Sequence, residues 1–561
     1  MGKSGSCNRT ESNQPLVDFQ SPQLMTEKKL RRSTMSQHNL WSKQETGLSL
    51  NKKQAAYGSI SIKTPESVSA EERVNQLGYK QELQRKLSSF ATFGLAFTNI
   101  GILSNASATF QTVLQRGGPV TMLLSWNIVA GFMLCVALSL SEICSLYPLS
   151  GGLYYWVYEL LHIHPRAKSH APLLAFVTGW IYTMANVISI SATNVTVALS
   201  AGTIMKITYG IPLSKLALML VTLIITFFQA IMNMRGLGGL ALMNQLSVFW
   251  SCAGLIAIIA VLSIFAPHQA ASWVFTHYEN DTGFEDPTYV FILAMIGAAY
   301  SLFGCESAAS VNEETVDADV SSPLAMTMSI AVSWFVGLVF LIVLLFSVQD
   351  IDAVLNSTFD MPVAQLFWDA VGYWGTLGFL FLMIVCQFCT GATTITVASR
   401  QVYALARDGA TPMSERLCAL DSQKLPANAI ICTSVLSCIV VLPFPLSENL
   451  FETIVSATTI TIHLAYGIVL ACRLVAPQPI KGRFSLGRWS RPVTYISLAW
   501  TMFAVLAFLL PTSWPIQANN ANFAGLGLLI VLGSTFACWI GWGRYHYTGP
   551  RATTDDISNG L

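Results

Sequence analysis

Between Phe90 and Trp542 the chain repeats, about twelve times, an apolar run of about 20 residues, the length an α-helix needs to cross about 30 Å of hydrocarbon. In that medium no water satisfies backbone N–H and C=O groups, so each run is confined to helix or must line a protein cavity. The runs fall near 90–114, 119–144, 172–204, 214–232, 243–265, 288–309, 324–347, 374–403, 427–443, 450–472, 492–511 and 522–542. Over 561 residues the chain is 53% hydrophobic and only 11% charged, against roughly 25% charged for soluble domains. The sequence therefore predicts an all-α integral membrane protein with the lipid bilayer as its solvent. A net charge of +1, with no concentrated basic surface, excludes nucleic acid as a partner.

The ends are different. Residues 1–85 are polar, rich in Ser, Lys, Gln and Asn, and carry no apolar stretch of signal-peptide type, so they read as a disordered cytosolic tail. Within it, Met1-Gly2-Lys3-Ser4-Gly5-Ser6-Cys7 fits a loose acylation pattern and Lys28-Lys29-Leu30-Arg31-Arg32-Ser33 a kinase or anionic-leaflet segment, with a plain solvated tail as the alternative for each. A twelve-span domain follows over 86–545, and a second cytosolic tail over 546–561. With the amino terminus inside, the outer connections keep only Arg116, Lys206 and Lys215 of the basic residues, which places both termini in the cytosol. The plasma membrane is the default location and a vacuolar membrane the alternative, because no receptor-read address is visible.

The sequons at Asn280 and Asn356 fall in outer connections, as glycosylation requires, whereas those at Asn105 and Asn194 fall inside spans. All twelve cysteines lie in the tail, the spans or inner connections, which argues against a disulfide framework. Cys386-Gln387-Phe388-Cys389 has metal or redox spacing, but without companion ligands it reads as a packing pair. Neither a metal nor a cofactor is expected.

Two spans are interrupted at mid-depth. The first carries Thr98-Asn99-Ile100-Gly101-Ile102-Leu103-Ser104-Asn105 and the sixth carries Leu302 to Ser307. Breaks five spans apart predict an inverted repeat, with one half over 90–265, the other over 288–472 and two extra spans over 492–542; two ordinary glycine kinks are the alternative. The run Phe303-Gly304-Cys305-Glu306-Ser307-Ala308-Ala309-Ser310 also places a carboxylate in the span, where translocon-type scales put a central Asp at roughly 2.5–3.5 kcal/mol. Glu306 is then either a site that faces a cavity or a partner, or a protonated, hydrogen-bonded packing residue.

At the inner end of the second span, Pro148 and the pair Gly151-Gly152 reverse the chain, and Tyr154, Tyr155 and Trp156 suit the interface belt. Glu142 is expected there either to form an inner gate with Arg400 or Arg407 of the eighth span or to be solvated. The eighth span ends in Arg407-Asp408-Gly409 and Pro412, which reads as a helix stop.

Leu77-Gly78-Tyr79-Lys80-Gln81-Glu82-Leu83-Gln84-Arg85-Lys86-Leu87, the Pro-x-x-Gly-Gly-x-Tyr-Tyr-Trp run from Pro148 to Trp156, and Ser399-Arg400-Gln401-Val402-Tyr403 through Arg407-Asp408-Gly409 resemble the fungal GABA and choline permeases of the amino acid, polyamine and organocation superfamily. The resemblance spans roughly Leu77 to Tyr547 and implies the twelve-span inverted-repeat fold, with the first and sixth spans unwound around a ligand. Carried over residue by residue, it places binding residues at Asn99, Gly101, Ile102 and Ser104, and at Tyr300, Phe303, Gly304, Cys305 and Glu306. In those permeases an aspartate tends to stand where Glu306 is here. Ser251 occupies the place where several bacterial carriers have a lysine that substitutes for a sodium ion.

The expected activity is secondary active transport, by alternating access, of a small amine-bearing solute such as an amino acid, GABA, choline or a polyamine. Freed amides beginning the inner half of the first span are expected to bind a carboxylate, while unwound carbonyls and Glu306 receive the ammonium under the rings of Tyr300 and Phe303. There is no Gly-x-x-x-x-Gly-Lys-Ser/Thr run, so protons are the expected coupling ion, with Glu306 and His463 as acceptors. A membrane enzyme needs a His, Asp or Ser cluster near one face, which the spans lack. A nutrient sensor that binds without transporting stays open as the alternative.

Overall fold

A computed structural model of the protein describes residues 85–235, 242–446, 449–476, 482–517 and 521–550, with the backbone alone over 237–241. All but the last residue of the expected tail at 1–85, with its acylation and kinase motifs, most of the Leu77 to Leu87 motif, and most of the second tail lie outside the described residues. The first span is α1 (Ser89–Ile100) and α2 (Ile102–Leu114); α3 (Gly118–Leu146) is the second, followed by a connecting helix α4 (Gly152–His162). The third to fifth spans are α5 (Ala171–Tyr209), α6 (Lys215–Asn233) and α7 (Leu237–Phe265). After α8 (Ala271–Thr276), the sixth span is α9 (Pro287–Ser301) with α10 (Ser307–Ser310), and α11 (Ala318–Phe346) is the seventh. Then come α12 (Ile351–Leu355), the eighth span α13 (Val363–Arg407), α14 (Ser414–Leu417), and the last four spans α15 (Ala427–Val441), α16 (Leu450–Val475), α17 (Ser490–Ala507) and α18 (Ala524–Cys538).

Nine helices among the described residues are long and apolar enough to cross a bilayer unaided. The two broken spans and the 18-residue α17 complete the expected twelve. We call the face on which α1 begins proximal and the other distal. At about 1.5 Å per residue, the 45 residues of α13 would run roughly twice the thickness of the hydrocarbon. Gly372, at φ 67° and ψ −166°, breaks it, leaving 363–371 as a separate distal segment.

The two five-span halves pack their equivalent elements together, α3 against α11 and α5 against α13. Between α3 and α11 the contact is reciprocal: Trp126 Nε1 donates to the Trp334 carbonyl at 3.1 Å, and Trp334 Nε1 donates to Asn127 Oδ1 at 3.0 Å. Pro323 inside α11 has no N–H for the Asp319 carbonyl four residues back. Ser145 of α3 donates to that carbonyl instead, at 2.7 Å. In hydrocarbon such a repair is required, not optional.

A polar layer joins α5, α6 and α13. Asn194 and Gln229 exchange two amide bonds (2.8 and 2.9 Å), Asn194 also donates to Thr226, and Gln229 donates to the Phe388 carbonyl. Asn233, one turn further, donates to the Ala392 carbonyl and accepts from Thr396. The sequon at Asn194 is thus a buried structural amide.

On the distal face, Arg116 forms an ion pair with Glu452 and a backbone bridge with Asn280. The Asn280 side chain is tied into its own loop, donating to the Phe284 carbonyl (2.7 Å) and accepting from Thr282, whereas Asn356 is exposed. On the proximal face the segment entering α1 pairs with the connection after α10: Lys86 and Leu87 donate to the Glu314 carbonyl, and Val316 donates to that of Leu87. Tyr154, Tyr155 and Trp156 do not form an interface belt. They are buried within the protein, where Tyr154 donates to Asp408 at 2.7 Å and Trp156 to the Tyr147 carbonyl at 3.0 Å. The chain reversal folds α4 back under the bundle, which removes these rings from lipid.

Glu159 on α4 has its carboxyl pushed up to about 7 by burial, with a Tyr155 hydrogen bond acting in the opposite sense. A raised folded-state value means that the protonated form is favoured in the folded protein, so its contribution to stability is lost as pH rises from the unfolded value through about 7. Melting in detergent is therefore expected to fall between about pH 4.5 and 7 and to flatten in Glu159→Gln. For the polar layer, Gln229→Leu leaves Asn194 with unsatisfied amide groups and is expected to cost about 1–3 kcal/mol. Adding Asn194→Leu is expected to cost less than the sum of the two single changes, read from melting temperatures of the four proteins.

Candidate functional site

The first break is made by Gly101, whose φ of 58° and ψ of 43° lie in the left-handed region. The carbonyls it frees are taken up by side chains. Asn105 Nδ2 donates to the Ile100 carbonyl at 2.9 Å, and Thr390 Oγ1 of α13 donates to that of Thr98 at 2.9 Å. Gln387 on α13 holds Asn105 in turn, at 3.0 Å, and Thr394 donates to Asn99 Oδ1 at 2.8 Å. A Cβ at position 101 would lie 3.0 Å from Thr390 Oγ1, so the residue is fixed by space as well as by φ. Ser104 donates to the Met383 carbonyl, and Ile102 is buried at the start of α2. The half-helix that presents its amino terminus to the break is α2, on the distal side; the proximal half α1 ends there. The expectation of freed amides on the inner half is thereby corrected, since a chain running from the proximal face can only begin a helix at the break on its far side.

The sixth span breaks over Leu302 to Glu306, with Gly304 at φ 104°. Asn99 Nδ2 reaches the Gly304 carbonyl at 3.4 Å, which joins the two breaks. Ser307 Oγ donates to the same carbonyl at 2.6 Å. Glu306 stands at the start of α10 and is 1% exposed. Its carboxylate lies between two phenols from different spans: Tyr182 of α5 donates to Oε1 at 3.1 Å, and Tyr466 of α16 donates to Oε2. The Gly304 N–H donates to the same Tyr466 oxygen at 3.4 Å. Among the described residues no ion pair engages Glu306.

Tyr300 and Phe303 are buried and meet edge to face, with ring centroids 5.7 Å apart, and Cys305 is fully buried beside Glu306. His463 lies one turn before Tyr466 and is completely buried. Its Nδ1 is 2.7 Å from the Thr459 carbonyl, so Nδ1 carries the proton, while Nε2 has no hydrogen-bond partner and the ring packs among those of Tyr466, Trp500 and Phe508. Ser251 meets Cys386 at 3.6 Å on the wall of a small cavity beside Gly101 and Ile102.

The proximal ends of the spans are closed by buried ion pairs, though not in the expected combination. Glu142 does not meet Arg400 or Arg407, and it is not solvated. Being 1% exposed, it binds Arg473 of α16 at 3.1 Å and accepts from Ser485, Ser490 and the Leu486 N–H. The reason is positional: α3 ends against α16 and α17, while the arginines of α13 face the connection after α10. There Arg400 Nε binds Glu314 at 3.1 Å with both side chains 1% exposed, and Arg407 binds Glu313 at 3.2 Å. The eighth-span terminus is therefore more than a helix stop.

Sequence reasoning singled out neither Tyr182, Tyr466, Thr390 and Thr394 nor Glu313 and Glu314 as partners. One signal was available: Arg400 and Arg407, seven residues apart, share a helical face, and Glu313-Glu314 is an acidic pair of matching size. The phenols gave no such signal, because their spans are far apart in the chain and tyrosine is common in membrane helices.

A family profile described as amino acid permease matches residues 87–533. The chain is 30% identical to the amino-acid permease BAT1 of Arabidopsis thaliana, over 86% of this chain and 96% of that protein. It is also 30% identical to the BAT1 homolog of rice, Oryza sativa, again over 86% and 96%. To a GABA-specific permease of Saccharomyces cerevisiae it is 26% identical over 88% of each. These relatives are named as permeases, not enzymes. A multi-pass bundle with two broken spans, matched over most of its length by one profile, makes this chain a member of the amino acid permease family, a membrane transporter of amino acids.

Proposed function

We propose that this permease is a secondary transporter that moves a small amino acid or related amine by alternating access, and that Glu306 receives in turn the substrate ammonium and a proton. The observation that carries this reading is the Glu306 carboxylate, buried between two neutral phenols with no ion pair among the described residues. A carboxylate in such surroundings is stable only when a cation or a proton neutralises it. An ammonium that arrives in exchange for a proton satisfies the site in both halves of the cycle. The amino terminus of α2 offers the positive end of a helix dipole to the carboxylate of the same substrate. Asn99, Gly101, Ile102, Ser104, Tyr300, Phe303, Gly304 and Cys305 form the rest of this proposed pocket, with His463 as a second proton acceptor. The name of the yeast relative makes GABA the first compound to try.

In this reading the bias of basic residues places both termini in the cytosol, so the proximal face is cytosolic and the Glu313, Glu314 and Glu142 pairs keep the pocket closed on that side. Asn356, exposed on the distal face, is then the better glycan acceptor. The tails at 1–85 and 546–561, flanking a transporter domain at 86–545, belong to the same proposal, as does a location in the plasma membrane.

Uptake into proteoliposomes, with tritiated GABA and a tritiated mixture of L-amino acids, tests the role of Glu306. Glu306→Gln is expected to lose uptake by about tenfold or more, the loss of a charge-assisted bond of roughly 1.5–3 kcal/mol, and to lose its dependence on external pH. Unchanged affinity and pH dependence would sink the assignment. For the proximal seal, Arg400→Met leaves Glu314 buried and unpaired, which is expected to lower stability by about 3–5 kcal/mol. The pair Arg400→Met with Glu314→Leu is expected to recover most of that stability in thermal melting, while raising substrate leak down a gradient.

A further inference from the structure

We propose that Arg116 and Glu452 form a second, distal recognition site for the zwitterionic head group of an amino acid, occupied before the substrate reaches the break. The proposal rests on the reading of Glu306 as the central site, and goes beyond it to the route by which substrate arrives. Two cavities lie end to end along α2 and α9. The distal one is lined by Thr109, Thr112, Arg116, Gly297, Glu452 and Ser456; the deeper one shares Thr109 and Gly297 with it and reaches Ser301, one residue from the sixth-span break. Together they mark a lane, lined mainly by apolar side chains, that runs from the distal face toward the sixth-span break.

The ion pair stands at the mouth of this lane, and its halves are unequal. The Arg116 side chain is 6% exposed and anchored by its backbone bridge to Asn280, whereas Glu452 is 41% exposed. Arg116 is thus a fixed, largely desolvated cation, and Glu452 is a carboxylate free to turn toward solvent. An amino acid brings one charge of each sign. Its carboxylate takes the place of Glu452 on the guanidinium, while its ammonium is received by the displaced Glu452, so one ion pair becomes two and no net charge enters the lane. Thr109, Thr112 and Ser456 supply hydroxyls along the wall. A pair that served only to hold the helix ends together would need neither a cavity behind it nor one exposed partner. An amine lacking a carboxylate leaves the guanidinium facing its own positive charge, so the site selects amino acids over simple amines.

Thr112→Cys, in the full-length protein in proteoliposomes, reports on the site through its rate of modification by a membrane-impermeant methanethiosulfonate, with the unsubstituted protein as background. GABA or L-alanine at about ten times its half-protecting concentration is expected to slow modification about tenfold. The same protection is expected when Glu306→Gln is added, and it is expected to vanish when Glu452→Gln is added. Ethylamine is expected not to protect. Protection that disappears with Glu306→Gln, or that survives Glu452→Gln, overturns the distal site. Failure of the central reading is seen separately, as uptake that Glu306→Gln leaves unchanged. If Thr112→Cys does not fold, Ser456→Cys on the opposite wall gives the same readout.

Discussion

A helix opened inside hydrocarbon has to find partners for every backbone group it frees, and no other requirement shapes this structure as widely. Gly101 and Gly304 open two helices at the same depth. The eighth span answers the first opening with a column of side chains one turn apart, Gln387, Thr390 and Thr394, which hold Asn105, the Thr98 carbonyl and Asn99. Asn99 then reaches across to Gly304, so the two openings are joined to each other before any ligand is considered. The lateral polar layer of Asn194, Gln229, Asn233 and Thr396 pins the back of the same helix, which keeps that column in place.

The placement of charge follows the same logic at a different depth. Near the middle, the carboxylate of Glu306 is given two phenol donors, which stabilise an anion without neutralising it. Near the proximal face, each buried carboxylate meets an arginine directly. Paired charges of that kind contribute little net stability beyond what an apolar pair would give, but they are strongly penalised when separated. They suit positions that must be fully closed or fully open. The contrast between a carboxylate left without a cation and five supplied with one is the clearest electrostatic feature of the bundle.

Much of the architecture was legible because hydrocarbon imposes length: the spans and the two mid-depth breaks follow from composition and spacing. The stretch from Thr98 to Asn105 and that from Leu302 to Ser307 were marked by small and polar residues in apolar runs, and the breaks at Gly101 and over Leu302 to Glu306 fall within them. What could not be read was pairing between distant segments. Glu142 and Arg400 are both at proximal helix ends, and nothing in the chain says that one turns toward Arg473 and the other toward Glu314. The same holds for Tyr182 and Tyr466, which are separated by about half of the chain in sequence and meet on one carboxylate. Tyr154 and Trp156 misled for a related reason: an aromatic cluster beside a span reads as an interface anchor unless the fold is known to bury it.

The short bridge between Leu87 and Thr315 sets a mechanical condition on the bundle. Three backbone hydrogen bonds join the residues leading into α1 to those leaving α10, and Thr92 and Ser89 add hydroxyl contacts to Thr315 and Ser321. The two broken spans are therefore riveted at their proximal ends, and a displacement of one transmits torque to the other without passing through the pocket between them.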